Sequence, residues 1–190
     1  SSAGIVIIGE TIGGTYYGPQ TTTVSGCYIE NVTSAVTSQY GNQYNIDCDG
    51  LKFFGGNVTG SDYVNCRASI YGNHFLNCRG RDIKVQADEV VVRSNTSKMA
   101  VLPISDGGTR INCQITSGIV SDNVFYYEPV STTGGLKSPF IEDGGPTAGG
   151  TVISFFDSNA DSRNRAITVS NNTVYNNVPA SDRKSTRLNS

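Results

Sequence analysis

Asp47 and Asp49 flank Cys48. Residues two apart on a strand share a face roughly 7 Å from one another, inside the range of about 5 to 9.5 Å that glycoside hydrolysis asks of its two carboxyls. With Cys48 turned inward, both carboxylates should point outward, one as acid and the other as nucleophile or base. A solvated acidic pair beside a Gly50 turn is the competing reading. Asp47-x-Asp49-Gly50 also opens like a calcium loop, but the downstream bidentate Glu is absent, so no metal is assigned. A second group is Arg79, Arg81, Asp82 and Lys84. Alternation with inward Ile83 and Val85 should place Asp82 and Lys84 outward, making Asp82 the third candidate catalytic acid. The cations could pair with a sugar carboxylate or stabilise an enolate after proton abstraction. A surface ion pair of little energetic worth is the alternative. Glu142, Asp143 and Asp157 form a third group, beside a Gly/Pro-rich excursion that could overhang a groove. Tyr127, with Tyr126 and the Tyr16-Tyr17 pair, offers ring faces to a sugar, or else core and subunit contacts. His74, the sole histidine, could act as a base but has no Ser or Cys nucleophile beside it in the sequence.

These residues are strung along a repeated phrase, in which alternating apolar residues lead to an asparagine and a turn. The clear copies are Ile70-Tyr-Gly-Asn73-His-Phe75, Val90-Val-Val92-Arg-Ser-Asn95-Thr, Ile119-Val-Ser-Asp-Asn123-Val124 and Ile167-Thr-Val169-Ser-Asn-Asn172-Thr-Val174. Looser copies end at Asn31-Val32 and Asn57-Val58. Such a rhythm with irregular spacing implies an all-β solenoid with loops of varying length. Read as a right-handed parallel β-helix, the chain should form seven or eight coils, with two coils in the long gap between Asn123 and Asn172. The inward residues should include Tyr28 and Ile29, Leu51 and Phe53, Phe75 and Cys78, Ile83 and Val85, Val90 and Val92, Ile111 and Cys113, and Ile119 and Val124. Asparagine tolerates left-handed backbone angles, and its amide can bond to its equivalent in the next coil, so stacked copies should make a ladder. Sequons at Asn31, Asn57, Asn95 and Asn171 follow from these turns rather than from glycosylation.

Composition agrees with strands and turns: 22 glycines, 10 tyrosines, one methionine and no tryptophan. No amphipathic helix and no membrane-spanning run is visible. Five cysteines without a Cys-x-x-Cys read best as inward thiols, with disulfides or a metal site as the alternatives.

With the coil phrase established, the chain resembles the right-handed β-helix, or pectin-lyase-like, superfamily, and most of all the central domain of bacteriophage tailspikes. The resemblance covers about Val24 to Asn177 and rests on the Ile/Val-x-x-x-Asn-x-Val/Phe turns and on Asn77-Cys-Arg-Gly-Arg-Asp-Ile-Lys-Val-Gln86. It implies a virion protein of the phage tail, homotrimeric in full length, that binds bacterial surface polysaccharide and depolymerises it as a glycosidase or lyase without a cofactor. A non-catalytic receptor-binding spike and a bacterial enzyme or adhesin of the same fold are the alternatives. The paired-aspartate and Gly-His-Gly signatures of polygalacturonases are absent. The expected organisation is a truncated lead-in at 1–23, the β-helix at 24–181 with its Gly/Pro-rich insertion at about 128–150, and a tail at 182–190. Asp182-Arg-Lys-Ser-Thr-Arg-Leu-Asn-Ser190 looks like the translation of a sequencing-library adaptor, a scar without biology. Without its three basic and one acidic residue, the remainder holds four more acidic than basic side chains. Those cations are scattered, which argues against a nucleic-acid partner.

Overall fold

The computed structural model of the protein describes residues 2–12, 15–18, 20–32, 48–55, 66–78, 80–100, 109–128, 130–132, 135–137, 152–155 and 166–177. All of its regular structure is β. In chain order the strands are β1 (Ser2–Ile8), β2 (Glu10–Ile12), β3 (Thr15–Tyr17), β4 (Thr21–Ser25), β5 (Tyr28–Glu30), β6 (Cys48–Phe54), β7 (Arg67–Tyr71) and β8 (His74–Leu76). They continue with β9 (Ile83–Arg93), β10 (Thr96–Met99), β11 (Ile111–Ser121), β12 (Val124–Tyr127), β13 (Val130–Thr132), β14 (Gly135–Lys137), β15 (Ile153–Phe155), β16 (Ala166–Ser170) and β17 (Thr173–Asn176).

Apart from two small antiparallel hairpins, β2–β3 and β13–β14, every pairing is parallel. The parallel strands make three stacks. Stack A is β1, β6, the first half of β9, the first half of β11 and β15. Stack B is β4, β7, the second halves of β9 and β11, and β16. Stack C is β5, β8, β10, β12 and β17. The chain visits A, then B, then C, and repeats this order through five rounds among the described residues. That is fewer than the seven or eight expected, because the first and last intervals are long. Asn123 bonds directly to Asn172 across 49 residues, so that gap holds one round and not two.

Equivalent residues stack in register, and the core is a set of rows. In stack A the rows are Ile5–Leu51–Ile83–Ile111–Ile153 and Ile7–Phe53–Val85–Cys113–Phe155. In stack B they include Val24–Ile70–Val92–Val120–Val169, and in stack C Ile29–Phe75–Ser97–Phe125–Val174. In the middle rounds these side chains are buried, each apolar one worth about 1.5–3 kcal/mol. Cys66, Cys78 and Cys113 lie in this core and Cys27 is half-buried, all as thiols. In the fifth round Val169 is 50% exposed on the row where Val120 is fully buried.

The long strands β9 and β11 bend between stacks, and the bend shifts the in-out phase. Asp88 and Glu89 both donate their amides to the Cys66 carbonyl, so inward Ala87 is followed not by residue 89 but by Val90. In β11 the same shift turns Gly118 and Val120 inward. Ile119, expected in the core, is 44% exposed, and Tyr28 likewise faces out opposite exposed His74.

Stacks B and C are joined by the asparagine ladder. The backbone and side-chain amides of Asn73 donate to Asn95 Oδ1 at 3.1 and 2.9 Å. Asn95 does the same to Asn123 at 3.0 and 3.0 Å, and Asn123 to Asn172 at 3.1 and 2.9 Å. Each Nδ2 also donates to a carbonyl one round back, those of Val24, Ile70, Val92 and Val120. Left-handed angles fall on the preceding residue rather than on the ladder asparagine: Gly26, Gly72, Ser94, Asp122 and Asn171, with φ of 54–65°. The first round carries Cys27 at this place, its amide donating to Asn73 Oδ1 at 3.0 Å. Asn31 is therefore not a rung of the ladder. It closes stack C instead, donating to the Leu76 carbonyl, and Asn57 lies outside the described residues.

Removing a central rung leaves buried donors and a carbonyl without partners. Asn95→Ala is expected to cost about 2–4 kcal/mol in urea unfolding. Val120→Ala should cost about 2 kcal/mol, whereas Ile119→Ala should stay within about 0.5 kcal/mol. Equal costs at 119 and 120 would refute the phase shift in β11.

Candidate functional site

Asp49, Arg81, Asp82 and Arg110 gather where the chain turns from stack C into stack A, and the backbone there decides which side each one takes. Asp82 and Ile83 both donate their amides to the Arg110 carbonyl, and Arg110 and Ile111 both donate to that of Val152. Two successive amides on one carbonyl make a corner, so the residue before the strand and the first residue of the strand both turn inward. Gly50 holds the equivalent place in β6. A side chain there would collide with Phe75, the Cys78 sulfur and the Asp82 carbonyl, all within 2.9 Å, which accounts for the glycine.

Asp82 is accordingly inside the fold, 2% exposed, and not outward as simple alternation with Ile83 suggested. Arg110, completely buried, lies beside it. Its Nη1 donates to the Cys78 carbonyl at 2.8 Å and its Nη2 to the Gly80 carbonyl, while Asp82 Oδ1 is 3.5 Å from Nη1. Burial pushes the Asp82 carboxyl above the usual aspartate range, against the pull of Arg110 and a hydrogen bond from Ser97. Burial also raises the Cys78 thiol and the Tyr127 hydroxyl, and pushes the Cys113 thiol up to about 12. Tyr127 thus packs in the core, which corrects its expected place on a sugar-binding surface. Its neighbour Tyr126 is the outward one, stacked on Tyr175 with ring centroids 4.9 Å apart.

Arg81 turns the other way and meets Asp49. Arg81 Nε lies 2.7 Å from Asp49 Oδ1, and Lys52 Nζ lies 3.6 Å from Oδ2. Asp49 is fully buried by this arrangement, so the open carboxylate expected there is replaced by one held between two cations. Lys52 also reaches over the Phe54 ring at 5.3 Å, and Lys84, from the next round, reaches the same ring at 5.8 Å. The two lysines are register partners, and their row continues through Asn112 and Ser154, joined by a 2.8 Å hydrogen bond. The parallel row is Phe54–Gln86–Gln114, with the Gln86 amide donating to Gln114.

The face of stack A turned away from the core is thus a strip of ammonium, phenyl, carboxamide and hydroxyl groups, in which Lys52 and Gln114 are buried and Phe54, Lys84, Gln86, Asn112 and Ser154 half-buried. Of the expected site residues, the fold brings Asp49, Arg81 and Lys84 to one region and sends Asp82 and Tyr127 into the core. Asp47, Arg79, Glu142, Asp143 and Asp157 lie outside the described residues, as does the tail from Asp182. Lys52, Phe54, Asn112, Gln86 and Gln114 were not singled out from sequence. Aligning Leu51-Lys-Phe-Phe54, Ile83-Lys-Val-Gln86 and Ile111-Asn-Cys-Gln114 by their inward residues would have found them. Among the described residues no group of three or more His, Cys, Asp or Glu side chains is placed to hold a metal ion. No protein family, curated protein or solved structure matches the chain.

Asp49 is the carboxylate on which Arg81 and Lys52 converge, and removing it leaves two largely buried cations without it. Asp49→Ala is expected to lower stability by about 3–5 kcal/mol in chemical unfolding. A loss below about 1 kcal/mol would mean that the three side chains are not coupled as described.

Proposed function

We propose that this chain is the right-handed parallel β-helix of a phage tailspike-like protein and that it binds bacterial surface polysaccharide along the outer strip of stack A. The fixed A–B–C order of the stacks and the asparagine ladder support the β-helix. The observation that carries the binding reading is the register-aligned strip itself. Carboxamides and hydroxyls match sugar hydroxyls, the half-buried Phe54 ring matches the apolar face of a pyranose, and the half-buried Lys84 ammonium beside that ring matches a carboxylate-bearing sugar. Equivalent side chains recur at about 4.8 Å along the strip, so an extended chain ligand meets repeated contacts. Full-length trimer formation and a place in the virion belong to the same reading.

Binding without cleavage by Asp49 or Asp82 is the form the geometry favours. A glycosidase acid must reach the glycosidic oxygen, and these two carboxyls are buried against Arg81 and Arg110. The experiment is a panel of purified capsular and lipopolysaccharide glycans, read for binding and for newly released reducing or unsaturated ends. Uronate- or sialate-bearing glycans should bind, with affinity falling as salt rises, and any cleavage should survive Asp49→Asn and Asp82→Asn. Lys84→Gln and Phe54→Ala should each weaken binding about tenfold, or 1.4 kcal/mol. Failure to bind any glycan would end the polysaccharide reading, and cleavage abolished by Asp49→Asn or Asp82→Asn would restore the enzymatic one.

A further inference from the structure

Two aspartates sit at the same corner of the fold, in opposite circumstances. Asp49 is met by Arg81 at 2.7 Å, the length of a charge-assisted hydrogen bond, and by Lys52. Asp82 is held more loosely, by a hydrogen bond from Ser97 and by Arg110 at 3.5 Å. Its nearest cation, Arg110, spends its guanidinium on the carbonyls of Cys78 and Gly80 and stands 3.5 Å from Oδ1. Among the described residues Oδ2 has no hydrogen-bond partner, although it is buried. An ionised carboxylate spreads its charge over both oxygens, and a buried charged oxygen without a hydrogen bond is costly in a protein interior.

We propose that Asp82 is carried in the folded core as a neutral carboxylic acid, which makes the corner at Gly80–Asp82 a proton-sensitive element of the fold. The groups that face it come from every neighbouring element. Arg110 precedes β11, Ser97 is on β10, Cys78 follows β8, Tyr127 is on β12 and the Asp49 carboxylate belongs to β6. Cys78 and Tyr127 are themselves held neutral by burial, and Asp49 repels a second negative charge. Arg110 and the Ser97 hydrogen bond favour ionisation, and the Arg110 charge is already shared with two backbone carbonyls. The folded state therefore holds the Asp82 proton more tightly than the unfolded chain does. The stabilising contribution is complete below the ordinary aspartate range and is lost as pH rises through the raised folded value. Ionisation would leave the corner holding a carboxylate whose nearest cation, Arg110, is 3.5 Å away and shared with the Cys78 and Gly80 carbonyls. The inference stands apart from the polysaccharide reading.

The test uses the intact chain in two measurements. Thermal unfolding is followed from acid to mildly alkaline pH for the wild type and Asp82→Asn, which keeps the shape and cannot ionise. Relative to the variant, the wild type should lose about 3 °C or more of midpoint as pH rises. Infrared spectra of the wild type at neutral pH should show a protonated carboxyl stretch, a readout that does not depend on the variant folding. A wild type that instead gains on Asp82→Asn with rising pH, or spectra without a protonated carboxyl at neutral pH, would overturn the proposal.

Discussion

Parallel hydrogen bonding between successive rounds is the constraint from which the rest of the architecture follows. Once one round pairs with the next in register, every side chain stacks on its own equivalent, and a row must be acceptable at all its positions together. Aliphatic and aromatic residues meet that condition by packing. A polar residue meets it only if it complements itself, and asparagine does so because its carboxamide both donates and accepts. The ladder through Asn73, Asn95, Asn123 and Asn172 places that property where the backbone turns from stack B to stack C. The residue before each rung absorbs the left-handed conformation. The turn is thus shared between two neighbouring positions with different tasks.

Register also explains why the rounds differ so much in length without harm to the core. Only the stacked segments are constrained, and the chain between them is free to vary at modest entropic cost. The distance from Cys27 to Asn73 is 46 residues and that from Asn73 to Asn95 is 22, yet both pairs are adjacent in space.

Corners do the work that distinguishes one face from another. Where two amides share a carbonyl, the alternation of inside and outside slips, and neighbouring charges part company. Arg81 goes out to Asp49 while Asp82 goes in to Arg110. Electrostatics alone would not have separated them, since each aspartate accepts either arginine equally well in the abstract. The backbone separated them, and the outward pair then set Lys52 against Phe54 and beside Lys84.

The repeated Asn phrases and alternating Val/Ile runs determined by themselves that the chain would be all-β, would stack, and would carry a ladder, because those features are local and recur with a readable period. Asn31 was misread as a rung and Ile119 as core for one reason: period alone does not record a bend, and one residue of slip exchanges inside for outside. Which acids were buried, and which rows aligned into a strip, was decided only when five rounds were laid over one another. Side chains 32 residues apart, such as Asp49 and Arg81, meet because register brings them together, and register is a property of the stacked chain rather than of any one segment.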